Sequence, residues 1–435
     1  VFTANSDGTV RIWHRPDPHG MTEGLGRTFA PAHAESILCV AFRSDGKAIA
    51  LGTRTGFVFV YDLEHLGVPK QFRCSYPKML RGRQPATEVR FSTDGTRIIA
   101  QDQVLNTFVF DAAGGPEPLQ AKNAQNPLGV ADDGRTAVFH ARASGKYVVG
   151  ALDPSTEVPA GPVLTPGGEL ASITDESENW FLLRAGRLAF NPNRSLVAML
   201  NTEGTVTLFR VATGERVRDP LKHVVGNEFE GIHSVAFSPN GEFLLTRSPR
   251  ARGIWAAATG ALVNMLQNHI GIQVARFSPS GRLVMGGTNF TQGQVWDVTG
   301  SEASLLPLAH AAQVWGVAAD PTDERIITGS FDCSARIWDC VTGRPLSTPL
   351  KHKLGVSDVA FSPDGSRALT GSWDGTARLW RVPRALDDDE KRLNIWVETM
   401  TGLRIGSNAG GELLKPDEWR ARKAELDRLG GPPIK

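Results

Sequence analysis

Residues 352–382 read HKLGVSDVAFSPDGSRALTGSWDGTARLWRV, and the fold is decided inside this stretch. Its runs VSDVAFS, RALTGS and TARLWRV alternate apolar and polar side chains with the period of two that suits a pleated strand. Between them Pro363-Asp364-Gly365 and Asp374-Gly375 supply turns that fold consecutive strands back antiparallel. The segment therefore encodes a small sheet of three or four short strands. Such a sheet cannot bury both faces alone, so it needs neighbours of its own kind.

Those neighbours recur upstream. FSPDG at 361–365 has copies in FSPSG (277–281), FSPNG (237–241), FSTDG (91–95) and FRSDG (42–46). From Phe361 to Trp380, where a strand closes, is 19 residues, and the same step takes Phe42 to Tyr61, Phe91 to Phe110 and Phe277 to Trp296. Phe237 to Trp255 is one residue shorter. Weaker copies keep the step: Val130 to Val149, Phe190 to Phe209 and Ala319 to Trp338. Trp13 in TVRIWHR closes a unit whose beginning is missing, so eight whole units follow one truncated unit. Stacking the units radially buries their faces and leaves little open edge, which predicts an all-β fold, a β-propeller.

A His, then about nine residues to FSPDG, then S-x-D-x-x-x-x-I/L-W, resembles the WD40 repeat, and the resemblance covers residues 1–382. It is tightest in two units, where His310, Ser330, Asp332 and Trp338, and then His352, Ser372, Asp374 and Trp380, match the family's structural tetrad. The resemblance implies a chain of hydrogen bonds from the Trp indole through the Ser hydroxyl and His to the turn Asp, which satisfies buried polar groups rather than doing chemistry. Elsewhere the turn Asp is replaced, by Thr55, Pro249 and Phe290, and residues 111–210 keep almost none of the signature. The long step from Val149 to Phe209 contains SENWFLLRAG, either an extra strand pair or a degraded repeat. Seven blades are the family's commonest closure. The units therefore imply one ring of seven or eight blades, or part of a tandem pair of rings. The start inside a repeat, without an initiator Met, reads as a piece of something longer.

Residues 383–435 carry apolar residues at helical spacing, acidic residues near a first turn and Gly at the end, which predicts a short helical tail with two helices about a turn. Its WVETMTGL and EWRARKAELDRLGGPP segments resemble the ending of large bacterial WD40 proteins, many of which carry a serine/threonine kinase domain upstream.

The chain of 435 residues has 47 basic and 46 acidic side chains, a net charge of +1, which gives no global attraction to nucleic acid or to an anionic membrane. No apolar run reaches the roughly 18 residues that span a bilayer. Four cysteines without a CxxC pair suit a reducing compartment, so a cytoplasmic location is expected. The kinase motifs, HExxH, GxSxG and the phosphate-binding loop are all missing, so no catalytic residue, cofactor or metal is expected. His33, His310 and His352 are read as structural. Asp387 to Glu390 is read as a helix start, and Arg247, Arg250 and Arg252 as an ordinary exposed loop. Asn193-Arg194-Ser195 and Asn289-Phe290-Thr291 match the glycosylation pattern by chance.

The family resemblance also implies a partner surface on the narrow face of the ring, built from residues four and six before the strand-ending Phe and the residue before the turn Asp. These are Trp315, Gln313 and Phe331; Ser357, Gly355 and Trp373; Gln273 and Asn289; His233 and Ser248; with Leu38, Ser36, Arg54 and Ser6 in the first units. Large aromatics that face solvent are what interface hot spots use. Trp315, Phe331 and Trp373 are therefore expected to receive a peptide or loop of another protein, with Gln313, Gln273, Asn289 and Ser357 adding hydrogen bonds. Replacing the three rings by Ala is expected to abolish capture with little change in melting temperature. The leading expectation is a non-catalytic scaffold or adaptor. The alternatives are a regulatory or substrate-recruiting part of a longer kinase, and a channel hydrolase, for which Asp320 and Asp332 are already assigned to turns. Oligomeric state is not legible.

Overall fold

A computed structural model describes residues 2–4, 10–12, 27–30, 36–65, 69–74, 85–102, 106–114, 118–119, 127–141, 146–152, 161–165, 188–201, 203–225, 228–248, 251–267, 272–288, 291–298, 308–382, 390–405 and 411–429. The chain divides into two compact units, residues 21–382 and a second formed by 1–20 with 383–435.

The larger unit is an eight-bladed β-propeller. Each blade is an antiparallel sheet of three or four described strands, a to d, in chain order except for strand d of blade 8. Blade 1 runs Ile37–Phe42, Ala48–Thr53, Phe57–Asp62 and Lys70–Arg73; blade 8 begins Val356–Phe361, Arg367–Ser372, Ala377–Arg381. Strand a of one blade meets strand a of the next, as Val314–Ala319 meets Val356–Phe361 and Val356–Phe361 meets Ile37–Phe42. The core is correspondingly a series of layers between blades. One layer joins Cys39, Ala50 and Phe72 of blade 1 to Ala86, Phe108 and Phe110 of blade 2. Another joins Leu369 and Leu379 of blade 8 to Ile37, Ile49 and Leu51 of blade 1.

Nine units in the sequence yield eight blades because the first contributes only its last strand. Thr28–Phe29 pairs with Ala377–Arg381, Thr28 opposite Arg378, and completes blade 8 as its strand d. The seam is sewn again near the axis, where Ser357 Oγ donates to Ile37 O at 2.5 Å and Val40 N donates to Asp358 Oδ2 at 3.0 Å. Phe2–Ala4 pairs with Val10–Ile12 in the smaller unit; Trp13 lies outside the described residues.

The FSPDG motif is the a–b turn, and its last residue stands in the left-handed backbone region. Gly365 has φ +64° and Gly281 φ +77°. Blades 4 and 7 place Arg194 (φ 60°) and Asp323 (φ 58°) at the same point, a strain of about 1–2 kcal/mol that Gly avoids. In blade 3, Val163–Leu164 supplies strand d; SENWFLLRAG, further on, lies outside the described residues.

In the smaller unit, helices α1 (Glu390–Thr401) and α2 (Pro416–Arg428) are joined by more than a turn. The strands Leu403–Ile405 and Gly411–Leu413 pair between them. Pro416 opens α2, the Lys415 N–H donates to Glu418 Oε2 at 2.9 Å, and the Trp419 indole donates to Thr399 O of α1 at 2.8 Å. No helix among the described residues is long and apolar enough to cross a membrane.

Candidate functional site

Antiparallel order puts all b–c turns and d–a loops at one end of the ring, and the a–b and c–d turns at the other. Two structures occupy the first end: a set of buried polar relays, and an aromatic cluster above two of them.

The relay is clearest in blade 7. The Trp338 indole N–H donates to Thr328 Oγ1 at 2.7 Å, His310 Nε2 lies 2.7 Å from the same hydroxyl, and His310 Nδ1 lies 2.9 Å from Asp332 Oδ2. Blade 8 repeats it with Trp380, Thr370, His352 and Asp374 at 2.9, 2.7 and 3.3 Å. Burial pushes the His352 imidazole down to about 4, against the pull of Asp374, and lowers His310 likewise. Neutral rings fix the proton order: each Nδ1–H donates to the carboxylate, and each Nε2 accepts from the Thr hydroxyl. For Asp332, burial would raise the carboxyl, but donors from Ser334, the Ala311 N–H and His310 outweigh it and hold the group below its ordinary range.

The relay hydroxyl is therefore Thr328 or Thr370, not the Ser330 or Ser372 expected from the motif. Side chains alternate along strand b, and Trp338 pairs across with Ile326, so a residue two places on faces the same layer. Ser330 and Ser372 sit at the end of the strand, where they donate to Ala312 O and to the carbonyls of Leu354 and Gly355, and accept the Asp332 and Asp374 N–H groups.

Blade 5 holds a third relay that sequence reading missed. His223 Nε2 lies 2.6 Å from Thr246 Oγ1, which also accepts the Trp255 indole at 2.7 Å. A hairpin, His223–Val225 with Glu228–Glu230, stands between His223 and the FSPNG motif and breaks the expected spacing. The signal was the tetrapeptide PLKH, present at 220–223 and again at 349–352.

Above the relays of blades 7 and 8, Trp315, Phe331 and Trp373 come together. Their centroids are 5.0 Å (Trp315–Phe331), 6.0 Å (Trp315–Trp373) and 4.5 Å (Phe331–Trp373) apart, and every pair is edge-to-face. Trp315 is 8% exposed and the other two are half-buried. Three rings that shield one another from water contribute to the fold, so their replacement by Ala is expected to lower stability as well as capture. The cluster has room because residue 355 is Gly; a Cβ there would stand 3.0 Å from Phe331 Cδ1. Beside it Leu354 is 52% exposed.

A bulge in strand a aims the first ring. Register shifts between Val314 and Gly316, and Trp315 is the extra residue. Blade 8 has the same bulge at Ser357, but there the side chain turns inward. Ser357 is buried, and its hydroxyl is committed to Ile37 O and Gly371 O. It belongs to the seam and not to a partner surface. Leu38, in the corresponding bulge of blade 1, is buried too.

Gln313 is half-buried and its Oε1 accepts the Trp315 indole at 3.2 Å. His233 is exposed on blade 5, away from the cluster in sequence and blade order. Gln273 lies on strand Ile272–Phe277, and Asn289 lies outside the described residues, as do His33, Ser6 and Arg250. Arg252 is not on an exposed loop: it faces Arg247 across the b–c hairpin, is 2% exposed, and donates to Ser248 O and Ala251 O.

At the opposite end a cavity of about 330 Å³ lies among the a–b turns of blades 5 to 7, lined by Asn240, Glu242, Arg282 and Asp323. Ser278 and Ser280 donate to Asp323 Oδ2, and Arg282 faces Asp297. No cluster of metal-ligating side chains occurs among the described residues.

Residues 303–339 and 343–381, which span blades 7 and 8, match the family model described as WD40, the WD domain or G-beta repeat. The chain is also similar to the transcriptional corepressor LEUNIG_HOMOLOG of Arabidopsis thaliana, at 22% identity over 302 residues, 67% of this chain. The alignment spans 35% of that relative's length. The two matched blades, the relays and the closed eight-bladed ring together support a WD40-repeat β-propeller.

Proposed function

We propose that this propeller is a non-catalytic protein-interaction scaffold that takes a peptide or loop of another protein at the b–c end of blades 7 and 8. One observation carries the reading: three aromatic rings in mutual edge-to-face contact, beside an exposed Leu354, form a rigid platform with apolar surface open to solvent. A rigid disc that presents loops in fixed geometry needs no catalytic residue. The corepressor name of the relative suits a protein that assembles others. Four free cysteines suit a reducing, cytoplasmic location. The alternative, recruitment of substrates for a kinase in a longer chain, rests on the tail resemblance alone.

A photo-crosslinking amino acid placed at Leu354 tests the site, with Val341, 56% exposed on the c–d turn at the other end of blade 7, as control. Protein adducts are expected from position 354 and not from 341. Adducts from 341 alone would place the working surface at the opposite end.

A further inference from the structure

The charge around the aromatic platform indicates what kind of segment it takes. Phe331, Trp373 and Arg54 hold the same place, the residue after the end of strand b, in blades 7, 8 and 1. The series around the rim therefore runs aromatic, aromatic, cation. Backbone links hold Arg54 beside the platform: its N–H donates to Ser36 O at 3.0 Å, and Ser36 Oγ donates to Trp373 O at 3.1 Å. Lys353 is a second cation beside the platform. Its N–H donates to Asp374 Oδ2 at 2.8 Å, and two residues on, Gly355 O accepts the Trp373 N–H. Both cationic side chains are exposed, and neither has an ion-pair partner among the described residues.

Among the described residues, the carboxylates of this sector do not offset them at the surface. Asp332 and Asp374 have side chains 8% and 3% exposed. Each is occupied by His, hydroxyl and backbone donors beneath the rings. Among the described residues the face that a ligand meets thus has apolar rings bordered by two exposed cations, Arg54 and Lys353.

We propose that the platform recognises an acidic peptide segment: one apolar or aromatic side chain seated against Trp373, Phe331 and Leu354, with nearby Asp or Glu meeting Arg54 and Lys353. This rests on the docking reading above and adds the partner's chemistry to it. Exposed charges steer association and select against the wrong partner more than they add affinity, and salt screens them.

The test selects from an unbiased 12-residue peptide library displayed on phage, using the full chain as target. Enriched peptides are expected to carry an apolar residue with Asp or Glu within three positions. Synthetic copies are expected to bind about tenfold more weakly to the double variant R54E/K353E, with weaker binding at high salt. The melting temperature of that variant serves as the folding control. Peptides that lose binding to W373A but bind R54E/K353E unchanged, or that show no acidic enrichment, would overturn the acidic partner while leaving the docking site in place. Failure to enrich any peptide sensitive to W373A would overturn both.

Discussion

Blades 5, 7 and 8 and blades 1 to 4 solve the same packing problem with opposite chemistry. The first group joins neighbouring layers through a hydroxyl that bridges Trp and His, as Thr246, Thr328 and Thr370 do. In the second group that position is Leu51, Ala100, Phe139 or Met199, all buried. The residue facing the same layer from strand c is Tyr61, Phe110 or Phe209 in blades 1, 2 and 4. Between blades 1 and 2 even the His is gone. Cys74 N donates to Gly56 O at 2.7 Å, as His352 N does to Cys333 O at 2.9 Å, so a thiol stands in the imidazole's place, and burial pushes that thiol well up. A buried polar relay and an apolar plug are both stable; half of either is not.

The comparison can be broken from the apolar side first. Phe209→Ala leaves a cavity between blades 3 and 4 and is expected to cost about 3–5 kcal/mol in chemical denaturation. A loss below about 1 kcal/mol would mean that blade 4 is not held by its plug. On the polar side, Thr370→Val strands the Trp380 indole and the His352 Nε2 and is expected to cost about 2–3 kcal/mol. Converting the whole relay to the apolar form, His352→Leu with Thr370→Met and Trp380→Phe, is expected to cost less than Thr370→Val alone. A larger cost would show that the two solutions are not interchangeable.

Acid separates the two halves. An unfolded His binds a proton below about pH 6.5, whereas folded His352 does so only below about 4. In that window the unfolded state holds more protons, so stability falls as pH falls, by up to about 1.4 kcal/mol per pH unit for one such His. His310 acts in the same direction, and the lowered Asp332 and Asp374 add their loss below their ordinary range. Hydrogen exchange at pH 5 is expected to show blades 7 and 8 losing protection before blades 1 and 2; the reverse order would contradict the relay. The smallest effect is expected from Gly355→Ala, which crowds Phe331 and should cost roughly 1 kcal/mol or less, read as a change in near-ultraviolet circular dichroism of the Trp cluster.

The same contrast explains how much was legible. Strand alternation and the a–b turn are local rules, so the repeat, the propeller and blades 7 and 8 could be read from FSPDG and the step to Trp380. The weak units carry apolar plugs, which any buried strand could contain, so nothing there spells out a repeat. In blade 3 the chain from strand b to strand c is one residue longer, and Gly150 rather than Val149 stands opposite Ala137, at the place Trp380 holds opposite Ala368. His223 was hidden by an inserted hairpin. At the candidate site, position in the motif located the bulge but not its aim: Trp315 turns to the cluster, whereas Ser357 turns to the seam. That direction depends on the neighbouring blade, where Ile37 O offers an acceptor in one case and Phe331 a ring in the other.

The strand Thr28–Phe29 has a consequence in time. Its partner, Ala377–Arg381, is nearly the last part of the ring to leave the ribosome, so the first blade waits through the synthesis of seven others with one face of its core uncovered. Ile37, Ile49 and Leu51, which that face presents, are apolar and β-forming, the kind of surface on which a second nascent chain could close by mistake. The seam bonds of Ser357 and Asp358 need residues made some 320 positions after Ile37 and Val40, so on the ribosome the ring cannot close until its last blade has emerged.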